Sequence, residues 1–224
     1  KGSRMGNIDV PKCLLEINEM PVIRHQINSF KKNGIDDILV VTGYKSEMIR
    51  KLLNNEVKYV ENSKFDEMNN IYSVWLAIQK LQDDFVCVYG DLMFDEKILV
   101  KCLEIENEIG LMVEPNTRDE TMKVKIENKR IVAVNKKIEN NEAGGNFIGM
   151  AKFSKNITKM VFDEINDLVK NNVDGYYTLG IENLIKKNIQ VGYQFTNGLS
   201  WMDMDEMDEF EEAKKIFGNK ENLR

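Results

Sequence analysis

The chain has 224 residues, 42% of them apolar and 30% charged, which is enough to bury a full core and too apolar for a disordered protein. Its formal net charge of −6 argues against a general nucleic-acid or anionic-membrane binder, since either would favour a basic field. No apolar run approaches a membrane span or a signal-peptide core, so neither nucleic acid nor membrane insertion is expected, and the cytoplasm is the expected compartment.

The chain opens on KGSRMGNIDVPK. Gly2, Ser3, Arg4 and Gly6 make a flexible turn whose N–H groups can converge on an anion, and Lys12 follows Pro11, which fixes the local backbone. A tail with stray charges is the alternative. CLLEIN then reads as a short strand, and Pro21 suits the first turn of a helix whose Ile23, Ile27 and Phe30 share a face and which ends near Asn33-Gly34. His25, the only histidine, lies inside that helix, where packing or surface duty outweighs catalysis. The apolar run at 38–41 predicts a strand buried on both faces. SEMIRKLLNN follows as a short helix N-capped by Ser46, and VKYVEN as a further strand.

In NNIYSVWLAIQKL, the residues Ile71, Val74, Trp75, Ile78 and Leu81 form a helical stripe entered through Asn69 and Asn70. FVCVYGD is a strand that puts Asp91 at its C-terminal end, where open α/β sheets place ligands; a capping role for Asp91 is the alternative. EKILVKCLEIENE reads as a helix and IGLMVEP as a strand, and MKVKIENKRIVAVNKK makes two strands around a tight Asn128-Lys129 turn. Gly144-Gly145 permit either a close approach or a bend before the next strand. ITKMVFDEINDLVK and LGIENLIKK are amphipathic helices, and IQVGYQF is a late strand. No repeat or linker divides residues 1–224, which read as one domain with a mixed sheet covered by helices.

The chain closes on WMDMDEMDEFEEAKK, in which Asp203 and Asp205 point the same way if extended. Asp205 precedes a helix expected to bury Met207, Phe210, Ala213 and Phe217. Helix capping would need one carboxylate, and the cluster offers more. Cys13, Cys87 and Cys102 form no CxxC pair, so neither disulfides nor a zinc knuckle is indicated.

KGSRMG, VPKCLLEINEMPVIRHQI, IDDILVVTGY, the GD of VYGDLMF and WMDMD together resemble the signature of the nucleotidylyltransferases that activate sugar phosphates and phospho-alcohols. MNNIYSVWLA and FIGMAKFS resemble the branch holding phosphocholine and 2-aminoethylphosphonate cytidylyltransferases. The resemblance implies an α/β fold of the nucleotide-diphospho-sugar transferase type, a Rossmann-like, mostly parallel mixed sheet with a small hairpin subregion. It implies condensation of CTP with a small phosphorylated or phosphonate acceptor, giving a CDP-linked product and pyrophosphate.

By the same resemblance Gly2, Ser3 and Arg4 hold the β- and γ-phosphates, and Lys12 neutralises charge around the α-phosphate. Asp91 and Asp205 bind Mg²⁺, with Asp203 as the alternative second ligand. Two anions must meet in such a reaction, which calls for cations, and carboxylates fit only as metal ligands. Asn69 and Ser73 lie near the base and ribose, whereas Tyr72 and Trp75 read as core. Lys136 is assigned to the acceptor's phosphate, and Lys123 reads rather as a solvated strand face.

A quaternary ammonium favours aromatic faces, for which Tyr176, Tyr177 and Trp201 are the candidates. Asn146 stands where relatives of this pattern carry a glutamate, and Thr178-Leu179 where they carry acids, so a primary amine is not selected. The strand and Ala-Ala-Gly turn that precede GSR in the family, about ten residues in all, are expected to lie directly before Lys1. The rival readings are a sugar-1-phosphate nucleotidylyltransferase using UTP or dTTP, a nucleotide-sugar glycosyltransferase, disfavoured by the GSR loop, and a non-catalytic nucleotide-binding module. The oligomeric state is undetermined, and a homodimer stays open.

Overall fold

The computed structural model describes residues 9–118 and 121–218; Gly2, Ser3 and Arg4 lie outside the described residues. In chain order the first elements are β1 (Glu16–Ile17), β2 (Met20–Pro21), α1 (Val22–Lys32), β3 (Leu39–Thr42), α2 (Ser46–Leu53), β4 (Lys58–Glu61), α3 (Asn70–Ile78), β5 (Phe85–Val88) and β6 (Leu92–Phe94). They continue with α4 (Glu96–Leu103), β7 (Ile109–Glu114), β8 (Lys123–Glu127), β9 (Arg130–Asn135), β10 (Gly145–Phe153), α5 (Lys155–Lys170), α6 (Thr178–Lys186), β11 (Val191–Phe195), β12 (Trp201–Asp203) and α7 (Met207–Phe217). The chain forms two compact units. The first draws on Lys1–Ser63, Tyr89–Val100 and Gly198–Arg224, the second on Lys64–Val88 and Lys101–Asn197.

In the first unit, CLLEIN is mostly not a strand. Pro11 leads into a 3₁₀ turn over Lys12–Leu14, closed by Leu14 N–H to the Pro11 carbonyl at 2.9 Å and Leu15 N–H to the Lys12 carbonyl at 3.0 Å. Only Glu16–Ile17 is extended, and it folds back onto β2 through Asn18 and Glu19, both at positive φ. α1 buries Val22, Ile23 and Ile27, and Gly34 at φ 76 follows it, its N–H bonded to the Lys31 carbonyl. β3 and β4 pair in parallel, joined by α2, as a parallel pair requires. Leu39, Val40 and Val41 are half-buried rather than enclosed on both faces, since among the described residues β3 pairs with β4 alone. The cap expected at Ser46 falls on Lys45, which takes the left-handed conformation. α7 buries Phe210, Ala213 and Phe217, but Met207 is 38% exposed, because as the first helical residue it sits beyond the buried stripe.

In the second unit the sheet runs β5-β10-β7-β11-β9-β8, with β10 also reaching β8. It is mixed. The parallel pairing is β7 with β11, and the others described are antiparallel, because the β8–β9 hairpin and the long β10 insert their own direction. Asn128 and Lys129 turn that hairpin at φ 49 and 62, both values positive as a tight two-residue turn requires. At Gly145, φ is 146, and a Cβ would stand 2.4 Å from the Glu114 carbonyl oxygen. Close approach of β10 to β7 therefore requires glycine there.

Candidate active site

Four charged side chains converge in the first unit. β6 and β12 pair antiparallel with Leu92 opposite Asp203, and the Met204 N–H donates to the Asp91 carbonyl at 3.2 Å. This ladder brings the turn carrying Asp91 beside the strand carrying Asp203. Asp205 follows on the approach to α7, where the Glu209 carboxylate accepts the backbone N–H groups of Asp205 and Glu206, each at 2.9 Å. That is a capping box, with Glu209 at the third helical position, and it holds the backbone from which the Asp205 carboxylate projects.

Lys12 completes the group. Its ammonium bonds the Asp205 carboxylate and lies 3.6 Å from Asp91 Oδ2. Burial works against its charge, but the bond to Asp205 and the Asp91 and Asp203 carboxylates raise its pKa above the ordinary lysine value, so the amine stays protonated. Burial raises the Asp91 carboxyl against the pull of Lys12. Burial, reinforced by Asp91 and Asp205, pushes Asp203 up to about 8.

The donor set fits a divalent cation. Asp91, Asp203 and Asp205 each present a carboxylate oxygen, and these oxygens lie within 4.8 Å of one another. Asp203 Oδ1 is buried with no hydrogen-bond partner among the described residues. A buried carboxylate oxygen left in that state is costly unless a proton or a metal cation meets it. Asp203 and Asp205, weighed as alternatives in the sequence, are both part of the cluster.

The remaining predicted residues fall elsewhere. Trp201 shares a strand face with Asp203, while Met202 between them is buried. In the second unit, Asn69 donates its backbone N–H to Asp174 Oδ1 at 2.7 Å and its side-chain amide to both Asp174 oxygens at 3.1 Å. Ser73 lies one turn along α3 and is half-buried. The Lys136 ammonium is 4.7 Å from the Tyr176 ring centre and donates to its hydroxyl at 3.0 Å. Asn146, 1% exposed, donates to the Asn116 carbonyl and accepts from Thr121. Tyr177 is fully buried, its ring edge-on to Phe147 and Phe153, which is a core position. Lys123 is buried too, not solvated, and its ammonium donates to the Ile138 carbonyl at 3.0 Å. Trp75, expected in the core, is half-buried and donates its indole N–H to Asn166. His25 bonds the Ile17 carbonyl at 3.0 Å, a packing role.

Sequence reasoning overlooked Gln26. Its signal was a polar residue inside an apolar helical stripe, between Ile23 and Ile27.

A family model described as the MobA-like NTP transferase domain matches residues 1–146. The chain belongs to this family. CTP:phosphoglutamine cytidylyltransferase of Campylobacter jejuni is 26% identical over 240 residues, covering 94% of each chain. The 2-aminoethylphosphonate cytidylyltransferase of Lancefieldella rimae is 34% identical over 103 residues, 43% of this chain and 42% of its own. The solved structure of CTP:phosphocholine cytidylyltransferase from Streptococcus pneumoniae superimposes with a TM-score of 0.77 at 21% identity, covering 96% of this chain and 94% of that one. That likeness gives the NTP transferase chain the nucleotide-diphospho-sugar transferase fold. Among the described residues no helix is long and apolar enough to cross a membrane.

Proposed function

We propose that this NTP transferase is a cytidylyltransferase that condenses CTP with a small phosphorylated or phosphonate acceptor and releases pyrophosphate. The observation that carries this reading is the placement of the Lys12 ammonium among Asp91, Asp203 and Asp205. In the reaction an acceptor oxygen forms a bond to the α-phosphorus, and the bond from that phosphorus to the β-bridging oxygen breaks, its electron pair leaving with pyrophosphate. Nucleophile, α-phosphate and leaving group are all anionic, so fixed positive charge supplies much of the acceleration.

Lys12 provides such charge, held protonated by its carboxylate neighbours and aimed by the turn after Pro11. The three aspartates would hold Mg²⁺, which when bound neutralises phosphate charge. Without a cation they would repel a triphosphate. Gly2, Ser3 and Arg4 are assigned to the β- and γ-phosphates on the motif alone. Asn69 and Ser73 are assigned to the nucleoside, and Lys136, Asn146, Tyr176 and Trp201 to the acceptor; Tyr177, buried in the core, leaves that set. Support for Tyr176 is that its hydroxyl accepts from the Lys136 ammonium at 3.0 Å, so these two residues assigned to the acceptor stand together.

The choice of CTP and of the acceptor class is supported by relatives named as cytidylyltransferases of phosphoglutamine and 2-aminoethylphosphonate. The test is pyrophosphate release from CTP and Mg²⁺ with a panel of phosphocholine, phosphoethanolamine, 2-aminoethylphosphonate and phosphorylated glutamine. Turnover with at least one member, abolished by Asp91→Ala, is expected. Release with UTP or dTTP and a sugar 1-phosphate, and none from the panel, would contradict it.

A further inference from the structure

Gln26 is a buried polar side chain, 6% exposed, on the face of α1 that also buries Val22, Ile23 and Ile27. Its Nε2 donates to the Tyr89 carbonyl at 2.9 Å and to the Leu92 carbonyl at 2.7 Å. These two carbonyls bracket Gly90-Asp91. The same short segment is closed by the Leu92 N–H on the Tyr89 carbonyl at 3.2 Å, and the Asp91 carbonyl between them is taken by Met204. The backbone on both sides of the Asp91 side chain is therefore tied down, on one side to β12 and on the other to a helix anchored in the core.

We infer that Gln26 is a positioning residue for the cation site: by clamping the turn at residues 89–92 it fixes where the Asp91 carboxylate stands relative to Asp203 and Asp205, and so sets the site's affinity for a divalent cation. The inference rests on reading the three aspartates as a cation site. A buried amide could instead serve only to satisfy two carbonyls, with consequences for stability alone. The geometry separates these roles, because the two carbonyls it holds flank Asp91 directly, one in the turn before it and one on the first residue of β6 after it. Groups that orient metal ligands typically change affinity by about 10- to 100-fold when removed.

Two variants of the full chain test this. Gln26→Met keeps length and apolar volume but removes both donors, and Gln26→Asn keeps the amide but is one methylene too short to span both carbonyls. Mn²⁺ is titrated into nucleotide-free protein, with free Mn²⁺ read by electron paramagnetic resonance. The Mg²⁺ dependence of turnover is measured alongside, with KM for CTP at saturating Mg²⁺. Expected is an Mn²⁺ Kd raised about tenfold or more in Gln26→Met and shifted the same way in Gln26→Asn. The half-saturating Mg²⁺ should rise with it, while KM for CTP at saturating Mg²⁺ stays near wild type. A folded variant of either kind that binds Mn²⁺ as wild type does, whatever its melting temperature, overturns the inference while leaving the cation site standing. Wild type that binds Mn²⁺ no better than Asp91→Ala overturns the cation reading and this inference with it. Should Gln26→Met fail to fold, Gln26→Asn decides alone.

Discussion

The Lys12 ammonium bonds the Asp205 carboxylate across 193 residues of sequence, with Asp91 Oδ2 3.6 Å from the same nitrogen. The Lys12 side chain is only 18% exposed and serves two carboxylates, and taking such charges out of water costs about as much as their attraction returns, so stability alone is a weak reason for this arrangement. Lys12→Met, which keeps the apolar stem, leaves three carboxylates facing one another and should lower the melting temperature of the cation-free protein. It should lower kcat/KM by about 10²- to 10³-fold, the loss typical when one preorganised charge partner of a transition state is removed. Steady-state kinetics with a thermal melt checks both. A variant with near wild-type turnover would remove Lys12 from the chemistry.

Asp203 bears the electrostatic cost of the cluster. Its carboxyl is pushed from the ordinary 3.8 up to about 8, chiefly by burial and then by Asp91 and Asp205. Between these values the folded chain holds a proton that the unfolded chain has lost, so this group's contribution to stability is intact below pH 3.8 and is lost as pH rises towards 8. Asp203→Asn should abolish turnover yet stabilise the cation-free protein. Its advantage over wild type should be larger at pH 8 than at pH 5, and about 1 kcal/mol would appear as roughly 2–4 °C. Melting curves at the two pH values in chelator are the measurement.

Burial raises every thiol: Cys13 and Cys102 to about 12, and Cys87 to about 11 despite a hydrogen bond from Tyr177 that pulls the other way. Since the thiolate is the reactive form, only about 10⁻³ or less of each is available at pH 8. A chromogenic disulfide reagent should leave the native protein essentially unmodified at that pH and react with three thiols after denaturation. Rapid reaction of native protein would show a thiol more accessible than its burial allows.

Much of this was legible in the residues. Helix stripes such as Ile23 and Ile27, and the turn at Asn128-Lys129, follow from periodicity and backbone chemistry, and the structure has them where expected. The charged cluster was legible because an acid has few reasons to stand at a strand end. Its full membership was not, since choosing between Asp203 and Asp205 depends on the register of β12 against β6. Direction was the harder problem. Tyr177 and Lys123 carry functional side chains, but sequence does not reveal that one ring points into the core and one amine to a buried carbonyl. Gln26 was hidden for a related reason, because its partners lie 63 and 66 residues away. The two units are also invisible as composition shifts, since each is assembled from separated stretches of chain.

The most direct measurement is ³¹P NMR of wild-type protein with CTP, Mg²⁺ and each acceptor of the panel. Transfer of the cytidylyl group predicts loss of the CTP resonances, appearance of free pyrophosphate, and a coupled pair of signals in which the former α-phosphorus is joined through oxygen to the acceptor's phosphorus. Unchanged acceptor signals with CTP either intact or hydrolysed would contradict it.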